Sequence, residues 1–291
     1  MMDPHGDAIG RLLGRLHACP LPPPTESNTG ESGGFDTAVV AALAADVADV
    51  PALPGGRKAR RSRSVSREQV GLQGRAGEGA LWQEMEAWAA ELPVIWTAEH
   101  ADVESVPSRQ VLSEELRWLC KEDGVVAPSP VVLIHKDVHG ANLLQLPASS
   151  GGGLRLIDAE FADVGPRAFD VANFFLECAF VEEDGSWDWE RVPTREAQLS
   201  FARAYALAFS ADLTTAEADV EADALVSEWS RGWGLVAHLW NILWALATAV
   251  AAEGGGGAAD GAGEDFDFLS YAAGRWERYL HEKEQMLHLW M

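Results

Sequence analysis

Cysteine is scarce: Cys19, Cys120 and Cys178 are the only three in 291 residues. An odd, widely spaced set excludes a disulfide framework, and the chain has no CxxC pair or Cys/His zinc spacing. A reduced, cytoplasmic setting is expected. Basic residues are also few, 22 Lys and Arg against 45 Asp and Glu, for a formal net charge of −23. A general nucleic-acid role needs a basic face to meet phosphate, so that class is excluded. An acidic chain suits a small cationic substrate, although solubility alone is the plainer account. The opening run MMDPHGDAIGRLLGRLHACPLPPP lacks the apolar core of a secretory signal, and none is expected. One run, 232–252, has no Lys, Arg, Asp or Glu and is long enough to cross a bilayer. His238 and Asn241 fall near its middle and its Trp residues lie inside it, so a buried or pocket-lining helix is expected and no membrane span.

What the chain does have is apolar material with helical spacing. Hydrophobic residues make up 47% and Trp alone numbers 12, enough for an aromatic-rich core. Residues 1–20 hold a short amphipathic helix, DAIGRLLGRLHA, closed by LPPP. Residues 21–80 read as a low-complexity, disordered insertion with one Ala/Val-rich patch at 37–50. Its GRKARRSRSVSR run holds six of the 22 basic residues. A solvated insertion is the expected reading, and a nucleic-acid arm or localisation signal the alternative. Residues 81–291 form the main body. LWQEMEAWAAEL is a helix, VLSEELRWLCKE is another starting near Leu112 or Ser113, and PSPVVLI is a strand. FDVANFFLECAF follows as a helix with Asp170 near its N-cap. Two long helical segments come next, the second breaking or bending near Gly232–Gly234. EGGGGAADGAGED is a loop, and a C-terminal amphipathic helix ends the chain. The fold class is mainly α with one small β-hairpin.

That hairpin concentrates the chemistry. Two apolar runs, 143–146 and 154–157, flank PASSGGG, and antiparallel pairing sets the start of one beside the end of the other. Asn142 precedes the first run, Asp158 follows the second, and Asp137 lies five residues before Asn142. An all-oxygen cluster of this kind suits Mg²⁺ at Asn142 and Asp158, with Asp137 as a base and His135 as its orienting group. Positioning plus Mg²⁺ is the economy of phosphoryl transfer. A metal site formed by His135, Asp137 and His139 is the competing reading.

The residues His135-x-Asp137-x4-Asn142, followed by Ile157-Asp158-x-Glu160, resemble the catalytic motifs of kinase-like phosphotransferases. More narrowly, LIDAEFADVGPRAFDVANFFLE resembles the choline/ethanolamine kinase family signature, its specific part being 167–173 and Glu177. IGRLLGRLHACPLP is similar to that family's helix after the inter-lobe hinge. VAHLWNILW with FLSYAAGRWERYLHEK resembles its substrate pocket. The resemblance implies ATP-dependent phosphorylation of the hydroxyl of ethanolamine or choline, with ATP as co-substrate and Mg as cofactor. It implies Asp137 as base, Asn142 and Asp158 on Mg²⁺, and Glu160 supporting the metal. Glu177, Trp244, Phe268 and Tyr271 would surround the substrate ammonium, where aromatic faces attract a cation. His135 and Asp170 would be scaffold. Asn241 stands where the family usually has a further Trp, and Trp240 lies beside it; this departure would favour a smaller primary ammonium.

The family fold has an N-terminal β lobe with a Gly-rich loop and a strand Lys. No strand block, V-A-x-K context or phosphate-type Gly loop is found here, so the expectation is the C-terminal lobe of a protein-kinase-like fold with that lobe missing. An inactive lobe that binds an ammonium compound, or that dimerises with a copy of itself or an intact family member, is the alternative to an enzyme. A kinase-like phosphotransferase for another small molecule is the third reading.

Overall fold

The computed structural model describes residues 6–19, 79–94, 106–120, 125–147, 149, 152–210, 212–230, 232–253 and 266–288. The basic run, the Ala/Val-rich patch and the glycine loop at 254–265 lie outside the described residues.

Helix α1 (Gly6–His17) buries Ile9, Leu12, Leu13 and Leu16 on one face, as its spacing predicts. Its backbone lies directly on α5 (Arg195–Phe209), because Gly10 and Gly14 keep that face flat. A Cβ at Gly10 would stand 2.6 Å from the Phe201 carbonyl oxygen, and one at Gly14 2.5 Å from that of Tyr205. Helix α2 (Gly79–Glu91) buries Leu81, Trp82 and Met85. Helix α3 (Arg109–Leu119) starts earlier than the sequence reading placed it. Ser108 is the cap, its hydroxyl accepting the Val111 N–H at 3.3 Å. Ser113 lies inside the helix and donates back to the Arg109 carbonyl at 2.8 Å, a bond open to any mid-helix serine.

Strand β1 (Val131–Ile134) leads into the loop that carries Asp137. A short 3-10 turn, Gly140–Asn142, opens the expected hairpin of β2 (Leu143–Gln145) and β3 (Leu154–Leu156), with Leu143 opposite Leu156. The mainly helical class holds, but a single hairpin is corrected to three two-stranded antiparallel pairs among the described residues. Strand β4 (Asp163–Pro166) pairs with β1, and β5 (Phe180–Val181) with β6 (Ser186–Trp187). Asp-Val-Gly-Pro has no strand composition; long-range pairing to β1 makes it one. Every described strand lies C-terminal to α3.

Helix α4 (Arg167–Glu177) is buried along almost its whole length. Its first amides are satisfied from outside: Arg167 N–H donates to the Pro130 carbonyl at 2.9 Å and Ala168 N–H to Ser129 Oγ at 3.1 Å. The break or bend expected near Gly232 is a break between α6 (Thr215–Ser230) and α7 (Trp233–Glu253). Gly232 has φ +81°, and a Cβ there would meet the Val125 carbonyl oxygen at 2.6 Å. Although α7 is long and apolar enough to cross a membrane by length and composition, its stretch from Trp233 to Leu246 is packed into the core. It lies against α2, α4 and α8 (Phe268–His288).

Candidate active site

The catalytic-type loop is pinned from below by Asp170. Fully buried in the first turn of α4, Asp170 does not cap its own helix. Its Oδ2 accepts the His135 N–H at 2.7 Å and its Oδ1 the Lys136 N–H at 2.8 Å. His17, at the end of α1, completes the anchor: Nε2 lies 3.1 Å from Asp170 Oδ2 and Nδ1 2.8 Å from the Tyr205 hydroxyl. His135 ties the loop to the hairpin. Its Nδ1 receives the Asp137 N–H at 3.3 Å, so Nε2 carries the proton and donates to the Ile157 carbonyl at 3.0 Å. With both ring nitrogens engaged, His135 is no metal ligand. Among the described residues no three His, Cys, Asp or Glu side chains form a metal-holding group, which removes the His135–Asp137–His139 alternative.

Asp137 is half-buried, and Asn142 holds it in place. Asn142 Nδ2 donates to both the Asp137 carbonyl, at 2.9 Å, and Oδ2, at 2.8 Å. His139 Nε2 lies 3.6 Å from the same Oδ2. Burial pushes the Asp137 carboxyl up, but the His139 contact, the His135 field and the Asn142 amide outweigh it and hold it below the usual range. Burial would likewise lower His139, yet the Asp137, Glu177 and Glu182 carboxylates raise it above the ordinary imidazole value.

The hairpin end brings Asn142 and Asp158 together through register. Ile157 N–H donates to the Asn142 carbonyl at 3.0 Å, and Asp158 follows, exposed and with φ +61°. Glu160 is exposed in the turn beyond. With Asn142 Nδ2 committed to Asp137, its Oδ1 and the Asp158 carboxylate are the hard oxygen donors at this hairpin end that could hold Mg²⁺.

A second cluster lies at the far end of α4. Glu177 Oε1 accepts the Tyr271 hydroxyl at 3.0 Å and a hydrogen bond from Arg275 Nη2. Trp244 stands edge-on to Phe268, with centroids 5.7 Å apart, and to Tyr271 at 6.1 Å. Glu177, Trp244, Phe268 and Tyr271 are thus neighbours, joined by Phe180, Trp187 and Phe266, which sequence reasoning missed. Arg275 was missed as well. It is fully buried, with its guanidinium 5.1 Å from the Trp187 centroid and 5.4 Å from that of Tyr271. Its i+4 spacing from Tyr271 was the available signal. Trp240 does not stand in for an aromatic at 241. It points the other way, packing on Trp88, Phe161 and Phe169, while its Nε1 donates to Glu84 at 3.0 Å.

Asn241 joins the two clusters. Its Nδ2 donates to Asn173 Oδ1 at 2.8 Å, and its Oδ1 lies 3.1 Å from the Tyr271 hydroxyl. Asn173 Nδ2 in turn donates to the Lys136 carbonyl at 3.3 Å.

The family model described as choline/ethanolamine kinase matches residues 7–280. The chain belongs to the choline/ethanolamine kinase family. That match encloses both the Asp137 loop and the Glu177–Tyr271 cluster. Ethanolamine kinase 2 of Rattus norvegicus is 35% identical over 181 residues, covering 62% of this chain and 42% of that protein. Choline/ethanolamine kinase of Homo sapiens is 30% identical over 172 residues, covering 55% of this chain and 40% of that one. The chain therefore spans about two-fifths of the length of these two curated relatives. Among solved structures, a Plasmodium vivax ethanolamine kinase superposes with a TM-score of 0.56 at 20% identity, over 94% of this chain and 58% of that one. A choline kinase from Cryptosporidium parvum Iowa II gives 0.52 at 20% identity, over 77% and 62%. At these identities the likeness to choline/ethanolamine kinase structures is one of fold.

Proposed function

We propose that the chain carries the phosphoryl-transfer and acceptor-binding part of an ATP-dependent kinase acting on the hydroxyl of a small amino alcohol, ethanolamine or choline. The observation that carries this reading is the two-ended arrangement on α4. A hydrogen-bonded Asp137 lies over its start and a carboxylate among aromatic rings over its end.

Asp137 is the base. Its lowered pKa keeps it ionised at neutral pH, ready to take the hydroxyl proton as the new O–P bond forms and ADP leaves. Asn142 Oδ1 and Asp158 would hold Mg²⁺, with Glu160 in support. Bound there, the metal would neutralise charge on the ATP phosphates. At the far end Glu177 and the rings of Trp244, Phe268 and Tyr271 receive the ammonium. Both hydrogen bonds to Glu177 fall on Oε1, which leaves Oε2 for the substrate cation. The amide at 241, in place of a ring, favours a primary ammonium that donates hydrogen bonds over a trimethylated one.

The test is ADP release with Mg²⁺ and ATP in the presence of ethanolamine, choline or neither. Amino-alcohol-dependent release is expected, and Asp137→Ala should lower kcat by about 10²–10⁴-fold with the thermal unfolding midpoint preserved. Asp158→Ala should also lose turnover. Release that ignores the amino alcohol would sink the kinase reading and leave an ammonium-binding lobe, which calorimetry without nucleotide would detect. Full turnover in either variant would refute the role given to that residue.

A further inference from the structure

Lys136 stands between the scaffold His135 and the base Asp137, and its backbone is unusual. With φ +67° it occupies the left-handed region, which residues with a side chain rarely adopt. Such a conformation persists only where the surroundings impose it. Here they do so from three helices. The Lys136 N–H is held by Asp170 and its carbonyl by Asn173, both on α4. Its side chain, with only 4% of the residue exposed, runs to α2, where Nζ lies 3.0 and 3.2 Å from the two oxygens of Glu84. Glu84 also accepts the Trp240 indole N–H from α7.

The peptide joining Lys136 to Asp137 is therefore fixed on both sides, its carbonyl by Asn173 and its N–H by His135 Nδ1. The Lys136 ammonium is committed to both oxygens of Glu84, so its role here is to hold the loop. We infer that Lys136 is a positioning residue: the Lys136–Glu84–Trp240 cluster locks the left-handed turn that aims the Asp137 carboxylate. This inference rests on the reading of Asp137 as the base. Nothing in HKD or in LWQEMEAWAAEL taken separately announces it, because the pair forms only when α2 docks beside the loop.

The experiment compares Glu84→Gln, Lys136→Met and the double variant with the parent chain. Each single variant is expected to lower kcat at least about tenfold, as small misplacements of reacting groups do. KM for the amino alcohol should stay within about twofold, since the ammonium cluster is untouched. The double variant should lose no more than the worse single, the mark of two groups acting as one. Amide hydrogen exchange should quicken over residues 135–142 and stay unchanged in α8. Unaltered kcat with reduced stability would show a cluster that only docks α2, and would overturn the proposal, as would additive losses. If the parent chain shows no turnover, the kinase reading falls on its own. Hydrogen exchange still decides the tether: unchanged protection of 135–142 in the variants rejects it.

Discussion

Asp137 is kept an anion by neighbours of two kinds, a histidine that is itself inclined to be charged and an amide that donates to its carboxylate. Because its folded pKa is lowered, the stability it contributes is present above its unfolded value of about 3.9 and is lost as pH falls through the lower folded one. The acid limb of kcat/KM should therefore lie below the ordinary carboxylate range. His139 works in the opposite sense. Its raised pKa makes its contribution complete below about 6.5 and lost as pH rises through the folded value. Replacing it by His139→Gln should move the acid limb upward and remove any weakening on the alkaline side. A pH profile of kcat/KM reads both, and coincident acid limbs would show that His139 does not tune the base. Arg275 offers a separate test. Fully buried and paired with the nearly buried Glu177, it cannot lose its partner without leaving a stranded charge. Arg275→Met should cost about 3–5 kcal/mol in urea unfolding, and adding Glu177→Gln should recover part of that.

Helices were legible because their apolar residues recur at helical spacing, and α1 shows how far that reasoning reaches. Its buried face was readable; the reason for two glycines in it was not. Gly10 and Gly14 are small because α5 carbonyls press on them, a fact that resides in another element. Gly14→Ala should destabilise by about 1–3 kcal/mol and loosen α1, as overpacking does. Gly140→Ala, where nothing lies within 4 Å, serves as the control. Equal unfolding midpoints for the two variants would show that α1 yields without strain. The β2–β3 hairpin was legible from two apolar runs and a Gly-rich turn, while β4 was not, since its pairing is set by a partner 29 or more residues away. The same division runs through the site. Asp137, Asn142 and Asp158 come from one continuous stretch, so their grouping could be inferred from local pairing. The Arg275–Glu177 and Lys136–Glu84 pairs draw their members from elements far apart in the chain, and in sequence an ion pair of this kind looks like two solvated charges.

At the scale of the whole molecule, α4 acts as a beam whose start carries the base loop and whose end carries the ammonium cluster, with α7 closing one side through Asn241. The clusters are therefore coupled by packing, and the long-range field of the chain adds to both. The chain carries a formal charge of −23, and its site is proposed to admit a small cation and a polyanionic nucleotide. The field attracts the first and opposes the second. Salt shortens its reach to about 10 Å at 0.1 M, while pairs buried inside the site are screened far less. Raising NaCl should then increase KM for the amino alcohol by a few-fold. The same change should lower or leave unchanged KM for MgATP, and kcat should move little. Choline and ethanolamine should respond alike, because each carries one positive charge and the effect acts before either reaches the rings. Opposite salt responses for the two would place the effect in the cluster itself. A flat KM for both would mean that Glu177 and the aromatic faces, and not the acidity of the chain, gather the substrate.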